Sequence, residues 1–311
     1  MSPVLSAPRY VLGEIVVPHT DIDDLAARSD ELGMAPTASL WGWGDVRGTA
    51  LGLEDLAIAS ATETLRAAGA PRIDALILCS TRFPGGAEEH GGFVGRIIAG
   101  LDLGDVAFHG LTLHRCANLL AAIALASALV AAGVHRDVLV LTTDRVPDTD
   151  TRVRKYALFS DGAASCVVSS RGYPGDSYEI VATANTRDLR ALDHDDEISA
   201  DLARAATENV LAGTGLAVSN ISAVMHANLV TPVVMLKERQ AGFTRAQLDA
   251  ANITRFGHCF AADPLINLVD RGLLGHVPMA GHTVLTTSVP GERYAVLLRR
   301  LATPTELEPA P

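Results

Sequence analysis

The sequence predicts an α/β fold built from two similar halves. Short apolar runs rich in β-branched residues alternate with longer segments of helical period, which is typical of strands that alternate with helices. The same order of elements occurs twice, and we place the division between residues 1–172 and 173–311. Because helices that alternate with strands cover the faces of a sheet, we expect mostly parallel sheets.

The first half begins and ends with a predicted strand. In order, we predict a strand at 9–17, a helix at 53–68, a strand at 73–80, a helix at 92–99, a strand at 106–109, an alanine-rich helix after Cys116, and strands at 137–143 and 163–169. The alanine-rich segment is shorter than the ~18 apolar residues that a membrane span requires. We therefore interpret it as a buried helix.

The second half repeats this order. We predict a strand at 178–184, a helix at 199–212, a strand at 221–226, a helix at 232–241, a strand at 251–255, a helix from Pro264, and strands at 283–288 and 293–300. If the halves pack about a pseudo-twofold axis, the third helix of each half lies at the centre. Cys116 and His258 would then occupy equivalent positions at the starts of two neighbouring buried helices.

Composition excludes several classes of protein. Hydrophobic residues make up 48% of the chain and charged residues 20%, as expected for a globular protein. The formal net charge of −11 disfavours nucleic acids and anionic membranes as partners. The four cysteines show neither disulfide nor metal-ligand spacing, and the amino-terminal segment does not resemble a secretion signal. We expect a cytoplasmic protein without a metal.

Cys116 is the candidate nucleophile. It precedes the long alanine-rich helix, and the free N–H groups and dipole at a helix amino terminus favour a thiolate. The alternative is a packed structural cysteine, which is the common state of a free cysteine. Cys79 and Cys166 fit that alternative, because both lie inside apolar runs.

His258 and Asp263 are the candidate base and its orienting carboxylate. His258 lies in a loop beside Gly257, and a carboxylate five residues later could hold one tautomer of the imidazole and stabilise its protonated form. The alternative for Asp263 is a helix cap, because Pro264 follows it. A carboxylate has about four acceptor sites, so both roles are compatible.

His226 and Asn228 are candidate supporting residues. They follow a predicted strand, where open α/β sheets usually present their active sites. The alternative is that His226 is a polar residue whose hydrogen bonds are satisfied locally.

These motifs, together with YVLGEIVVPHTDIDDL at 10–25, FSDGAASCVV at 159–168 and HANL at 226–229, resemble those of the thiolase-fold condensing enzymes, and specifically the ketoacyl-acyl-carrier-protein synthase III group. The resemblance implies a homodimer, a five-layered αβαβα core, and no metal or redox cofactor. It also implies a cysteine that accepts an acyl group from a thioester, and Cys116 matches that nucleophile.

The departures from this family indicate a different reaction. Condensing members use a His and an Asn during decarboxylation of a malonyl unit. His226 resembles that His, although its segment has one residue fewer than the usual His-Gln-Ala-Asn pattern, and His258 stands where the Asn is expected. An imidazole can take a proton from a hydroxyl or amine, whereas an amide cannot. The sequence therefore resembles an acyltransferase branch of the family that acts in natural-product biosynthesis.

The predicted function is acyl transfer from acyl-CoA or an acyl carrier protein, through acyl-Cys116, to an oxygen or nitrogen nucleophile or to a second carrier. Arg115 is a candidate partner for a carboxylate on the acyl group, and Arg152, Arg154 and Lys155 are candidates to dock an acidic carrier. The alternative is a solvated or structural arginine for Arg115 and a solvated surface for the other three. The backbone amide of Cys116 is predicted as one oxyanion donor. The second donor stays open, because the turn that supplies it in the family contains Pro290, which has no N–H. The alternatives are a decarboxylative condensing enzyme and a non-catalytic subunit of a dimer.

Overall fold

The computed structural model describes residues 2–192 and 199–302. The strands of the first half are β1 (Val4–Leu12), β2 (Ile15–Pro18), β3 (Asp45–Gly48), β4 (Ala75–Cys79), β5 (Ala107–Leu111), β6 (Asp137–Asp144), β7 (Val153–Arg154), β8 (Ala157–Leu158) and β9 (Gly162–Ser169). Its helices are α1 (Leu25–Glu31), α2 (Ala38–Trp41), α3 (Leu53–Ala67), α4 (Ala87–Gly100) and α5 (Asn118–Ala131).

The second half has fewer strands. They are β10 (Ser177–Arg187), β11 (Ile221–Met225), β12 (His282–Val289) and β13 (Glu292–Arg300). Its helices are α6 (Ala200–Leu211), α7 (Thr231–Gln240), α8 (Ala251–Phe256) and α9 (Asp263–Leu273).

One nine-stranded sheet runs through both halves, in the order β11-β12-β13-β10-β1-β9-β6-β4-β5. β1 and β10 pair at its centre. Outward from this pair, each half makes two antiparallel pairings and then a parallel one, through β9, β6 and β4 on one side and β13, β12 and β11 on the other. The two halves are therefore related by a pseudo-twofold axis.

The helices form three layers around the strands. α5 and α9 lie between the halves and contact strands of both, while α3 and α4 cover the outside of the first half and α6 and α7 the outside of the second. This is the predicted αβαβα arrangement. α5 is apolar on nearly all sides, and most of its side chains are buried between the halves, although Leu125 and Ala128 are exposed. Its fully buried Leu119, Leu120 and Ile123 each contribute about 1.5–3 kcal/mol of hydrophobic stabilisation.

The expectation of mostly parallel sheets is wrong. Only the pairings β4/β5, β4/β6 and β11/β12 are parallel, and the other five in the large sheet are antiparallel. β13 follows β12 through a tight hairpin and β9 returns beside β6 without a crossover helix, so each half gains antiparallel strands. The predicted strand 9–17 is also two strands, because the chain turns at Gly13, where a Cβ would lie 2.3 Å from the Gly48 carbonyl oxygen.

The predicted strand 251–255 is helix α8. Its buried residues are Asn252, Ile253 and Phe256, a helical spacing that we interpreted as an alternating one. The position equivalent to β5 is reduced to a single parallel bridge between Val224 and Leu248. There the side chain of Gln247 donates to the carbonyl oxygen of Ile221 at 2.7 Å, so part of the outer edge of β11 is covered.

Candidate active site

The turns that precede the two central helices bring three predicted residues together. Cys116 lies in a 3₁₀ turn before α5, and its Sγ is 3.3 Å from His258 Nε2. His258 Nδ1 is 2.5 Å from Asp263 Oδ2, at the start of α9. His258 and Asp263 are fully buried and Cys116 is half-buried. The three side chains form a continuous chain from sulfur to carboxylate.

The backbone of His258 is held in place by Leu158 and by Ser160 of the FSDG tetrapeptide. Its N–H donates to the Leu158 carbonyl at 2.8 Å, and its carbonyl accepts from Ser160 N at 2.8 Å. The preceding Gly257 has φ of +68°, and a Cβ there would lie 2.4 Å from the Leu158 carbonyl oxygen, so only glycine fits. The ring of Phe159 packs edge-on against the imidazole, with the centroids 4.7 Å apart.

Asp263 both caps a turn and orients the imidazole. Its Oδ1 accepts from the N–H of Cys259 at 2.7 Å, and its Oδ2 accepts from the N–H of Asn228 at 2.6 Å as well as contacting His258. The orienting interpretation fits these contacts, but the helix-cap interpretation is wrong. Ala262 is the N-cap of α9, Asp263 is the first residue within the helix and Pro264 is the second, and the Asp263 side chain accepts from the turn before the helix instead of from its first N–H groups.

The pseudo-twofold relation does not make Cys116 and His258 equivalent, as we expected it to. Cys116 lies two residues before α5, and the residue at that place before α9 is Ala261. The matched pair is instead Asn118 and Asp263, each the first residue of its helix and each fully buried. Asn118 Oδ1 accepts from His114 N at 3.1 Å, four residues upstream, as Asp263 does from Cys259.

The charges in the site favour an imidazolium. Burial opposes the charged ring, but the carboxylate of Asp263, the sulfur of Cys116 and the hydrogen bonds to both outweigh it and raise the pKa of His258 to about 10. At neutral pH the imidazole is therefore protonated beside the sulfur. A thiolate next to an imidazolium is the nucleophilic state of a cysteine.

Cys116 and His258 open onto a cavity of about 1770 Å³. Near the sulfur its wall is aromatic, formed by Tyr156, Phe159 and Phe260. The cations around it are Arg28, Arg82, Arg115, Arg145, Arg154 and Lys155. Arg28, Arg145 and Arg154 form ion pairs with nearby acids. Within residues 2–192 and 199–302, the other three form none.

His226 lies outside this cavity. It is fully buried, and its ring nitrogens lie 2.9 Å and 2.8 Å from the carbonyl oxygens of Ala227 and Asp249. Burial lowers the pKa of His226. Asn228 is also outside the cavity and supports the site through its backbone, while its side-chain oxygen accepts from Asn267 at 3.0 Å.

The predicted cationic residues occupy different environments. Arg115 lines the cavity beside Cys116, and its guanidinium donates to the Leu192 carbonyl at 3.0 Å. Arg152 is held by both oxygens of the buried Asp161, at 2.9 Å and 2.8 Å, and so has a structural role. Arg154 pairs with Asp150 at 2.8 Å, and Lys155 is exposed at the cavity.

The hairpin between β12 and β13 forms another part of the cavity wall, through Val289 and Pro290. It is tied to the cysteine turn, because Glu292 Oε2 lies 2.9 Å from Nδ1 of His114. The sequence analysis missed this contact and the aromatic wall. Phe159 lies within the FSDG motif, and Phe260 lies between His258 and Asp263. Their closeness in sequence to candidate residues was the signal available for the aromatic wall.

Two structural absences apply to the described part of the chain. None of its helices has the length and hydrophobicity that crossing a membrane would need. Nor does it contain a cluster of three or more His, Cys, Asp or Glu side chains that could hold a metal ion.

Comparisons with known proteins bear on the fold and on the cysteine segment. The family model for 3-oxoacyl-(acyl-carrier-protein) synthase III matches residues 112–186, which include Cys116 and the FSDG tetrapeptide. No curated protein sequence matches the chain.

Solved structures match nearly the whole chain. FabH, the 3-oxoacyl-(acyl carrier protein) synthase III of Pseudomonas aeruginosa PAO1, is 20% identical with a TM-score of 0.79, over 98% of this chain and 100% of that one. ChlB3, described as an acyltransferase, is 18% identical with a TM-score of 0.80, over 97% and 98%. A variant of OleA from Xanthomonas campestris is 13% identical with a TM-score of 0.77, over 96% and 98%. The chain therefore has the thiolase-like fold of synthase III structures.

Proposed function

We propose that this protein is an acyltransferase of the ketoacyl synthase III type, which transfers an acyl group from an acyl-CoA or acyl-carrier-protein thioester to an oxygen or nitrogen nucleophile or to a second carrier in secondary metabolism. One observation carries the proposal. The sulfur of Cys116, the imidazole of His258 and the carboxylate of Asp263 are linked by contacts of 3.3 Å and 2.5 Å at the wall of a large cavity.

In the first step, the Cys116 thiolate attacks the carbonyl carbon of the donor thioester. The tetrahedral intermediate collapses by breaking the bond to the donor sulfur, and the His258 imidazolium gives its Nε2 proton to the departing thiolate. This step yields acyl-Cys116, the free donor thiol and a neutral imidazole. We assign the backbone amide of Cys116 as one donor to the oxyanion.

In the second step, the neutral imidazole acts as a base. Acylation has removed the thiolate charge that helped to raise the pKa of His258, so the ring can stay neutral until an acceptor arrives. His258 takes the proton of the acceptor hydroxyl, amine or thiol as that atom attacks the acyl group. Collapse releases the product and restores the thiolate and imidazolium. Asp263 stabilises the imidazolium at both ends of the cycle.

The decarboxylative alternative is less well supported. Condensing members of the family use a His and an Asn beside the cysteine, but His226 lies outside the cavity and His258 occupies the position expected for the Asn. The non-catalytic alternative does not account for the intact chain of contacts from Cys116 to Asp263. Release of carbon dioxide from a malonyl thioester, with a new carbon–carbon bond, would decide for condensation.

We also propose a homodimer that forms through β5. This strand is the outer edge of the sheet in the first half, and Ala107, Phe108, His109 and Gly110 are all exposed, with Phe108 57% accessible. An exposed edge strand offers unpaired N–H and C=O groups to a second copy of the chain. Phe108→Lys should convert the dimer to monomers in analytical ultracentrifugation, and an unchanged sedimentation profile would oppose this interface.

No cofactor is needed for either step, because the acyl group and one proton are the only species transferred. Arg82 and Lys155 are available at the cavity to attract the phosphate of coenzyme A or of a carrier's prosthetic arm. The cysteines of the described chain are free, which fits the reducing cytoplasm that we propose as its location.

Intact-protein mass spectrometry tests the proposal. Incubation with a panel of acyl-thioesters should add one acyl mass to the wild type and none to Cys116→Ala. The matched control is Cys166→Ala, which removes a fully buried thiol and should leave acylation unchanged. The absence of any mass gain on the wild type would eliminate the covalent mechanism.

His258→Ala separates the two steps. Its acyl-enzyme should form more slowly than that of the wild type and should then persist when a candidate hydroxyl acceptor is added. Discharge at the wild-type rate would remove His258 from the role of base.

A further inference from the structure

A second cavity, of about 290 Å³, lies at the other end of the first-half strands. Its lining residues are Arg72, Arg136, Asp137, Ser170, Arg171 and Tyr173. The three arginines come from three separate connections, before β4, before β6 and after β9. Asp137 and Asp144, at the two ends of β6, line the second and the first cavity respectively. At about 3.3 Å per residue, the strand keeps the two sites about 23 Å apart.

The cavity carries an excess of positive charge. The carboxylate of Asp137 lines the cavity and that of Asp74 lies beneath it, and each accepts a hydrogen bond from a residue of the cavity wall. Asp137 Oδ1 accepts from the Tyr173 hydroxyl at 2.5 Å, and Asp74 Oδ2 accepts from the backbone N–H of Arg136 at 3.0 Å. Three guanidiniums against two carboxylates leave one net positive charge, in a chain whose formal charge is −11.

The donors of the three guanidiniums are largely unused. Arg72 forms no ion pair in the part of the chain that the structure describes. Arg136 Nε reaches Asp74 Oδ2 only at 3.8 Å, and Arg171 donates to the Tyr173 hydroxyl at 3.2 Å. Each guanidinium has five N–H donors, so most of them remain available to a ligand.

The three arginines are exposed at the rim of this cavity, and an anion bound among them would relieve the repulsion between their like charges. The planar fork of a guanidinium matches two oxygens of a phosphate, and Ser170 adds a hydroxyl donor at the same cavity. The volume is close to the lower limit of ~300 Å³ for small-molecule sites, which suits a compact ligand. We propose that this cavity binds the phosphate or diphosphate group of a small anionic ligand, held by Arg72, Arg136 and Arg171.

The alternative is that these arginines only stabilise the fold, and ligand-free stability distinguishes the two roles. If Arg72 is structural, Arg72→Gln should lower the Tm of the ligand-free protein. If it belongs to an anion site, the variant relieves repulsion, so the ligand-free Tm should stay unchanged or rise.

The test is differential scanning calorimetry of the full chain with inorganic phosphate, pyrophosphate or glycerol 3-phosphate, at ionic strength held constant with chloride. We expect a saturable rise in Tm that is larger with pyrophosphate than with phosphate. A rise with glycerol 3-phosphate comparable to that with phosphate would assign the ligand as a phosphomonoester, and a rise with phosphate and pyrophosphate alone would assign a free ion.

The double variant Arg72→Gln with Arg171→Gln should lose the rise. Two control variants should keep it. Arg82→Gln removes a cation of the catalytic cavity, and Arg204→Gln removes an exposed arginine that pairs with Asp201. The proposal is overturned if no ligand raises the Tm beyond chloride, or if the rise persists in the double variant.

Discussion

The turns before α5 and α9 share a backbone arrangement but place different side chains at the start of the helix. Each contains a residue in the left-handed region three positions before the helix, Arg115 with φ of +50° and Phe260 with φ of +48°. Each helix then begins with a buried side chain that accepts a hydrogen bond from the backbone four residues upstream. In the first half this side chain is the amide of Asn118, and in the second half it is the carboxylate of Asp263.

The difference shows how one of two matched positions can carry a charge while the other does not. The backbone hydrogen bond requires only one oxygen acceptor, which an amide supplies as well as a carboxylate. The second group of Asn118 donates to the carbonyls of Ser80 and Thr112, whereas the second oxygen of Asp263 accepts from Asn228 N and contacts His258. One carboxylate oxygen of Asp263 therefore holds the backbone of the turn, and the other holds both the backbone of Asn228 and the imidazole of His258.

Asp263→Asn should have the largest effect on activity. The variant can keep the bond to Cys259 N, as Asn118 does in its own turn, but it loses the charge that stabilises the imidazolium of His258. An amide N–H that faces Nδ1 also requires Nδ1 to be the unprotonated nitrogen, so the imidazole proton lies on Nε2. Nε2 then cannot accept the proton of the Cys116 thiol. We expect acyl-enzyme formation at pH 7 to slow by about 10²- to 10⁴-fold in a mass-spectrometric time course.

Thermal denaturation of Asp263→Asn serves as the control for folding. A folded variant that acylates within tenfold of the wild-type rate would contradict the assignment of Asp263 to the imidazole.

Asn118→Asp is the reciprocal exchange and should mainly affect stability. It places a buried carboxylate oxygen opposite the carbonyls of Ser80 and Thr112, which lie 3.2 Å and 3.4 Å from the amide nitrogen that it replaces. An unpaired buried charge should lower the free energy of unfolding by about 3–5 kcal/mol in urea denaturation. The free energy of unfolding of Asp263→Asn should fall by less, about 1–3 kcal/mol. A larger loss in Asp263→Asn than in Asn118→Asp would contradict this comparison of the two turns.

The pH dependence of stability should differ between the wild type and His258→Asn. Because the folded-state pKa of His258 is raised to about 10 from an unfolded value near 6.5, its contribution is fully present below pH ~6.5 and disappears as the pH rises through about 10. The stability difference between the two proteins should shrink by more than about 1 kcal/mol between pH 6 and pH 10 in denaturant titrations.

Cys116→Ala sharpens this result, because it removes the side chain that, with Asp263, helps to raise the pKa of His258. In its background the loss of stability should begin at a lower pH. A stability difference that does not change with pH would mean that His258 is neutral in the folded protein.

Glycine substitutions at the two left-handed residues should have the smallest effects. Arg115→Gly relieves backbone strain at an exposed residue, so we expect a gain of up to about 1 kcal/mol in the free energy of unfolding. Phe260→Gly relieves the same strain but loses the ring contact with Phe159, at a centroid distance of 4.7 Å, and should be destabilising. Equal effects at both positions would mean that the Phe260 ring does not stabilise the cavity wall.

The sequence was sufficient for the parts of this molecule that depend on local pattern. Apolar periodicity located most elements and the order of elements predicted the duplication, whereas the αβαβα layers were implied by the resemblance to the synthase III group. Cys116, His258 and Asp263 could be singled out because each precedes a helix in a polar segment between apolar ones. The contacts among them depend on tertiary packing, because they join residues up to 142 positions apart.

Other features depend on tertiary contacts that a sequence does not encode locally. The helix at 251–256 and the strand predicted there share an apolar pattern, and only the packing of Phe256 against the central core distinguishes them. His226 lies at the end of a strand as predicted, yet its ring faces two carbonyl oxygens because the segment around Asp249 folds back over it. Arg152 looked like part of a basic surface because its acidic partner, Asp161, is nine residues away in a different segment.

The bridge between Val224 and Leu248 has a consequence for self-association. Among the described residues of the large sheet, this bridge covers part of the β11 edge, whereas β5 is exposed along most of its length. If two copies pair through β5, as we propose, each occupies the exposed edge of the other, and we expect assembly to stop at a pair instead of extending into a filament.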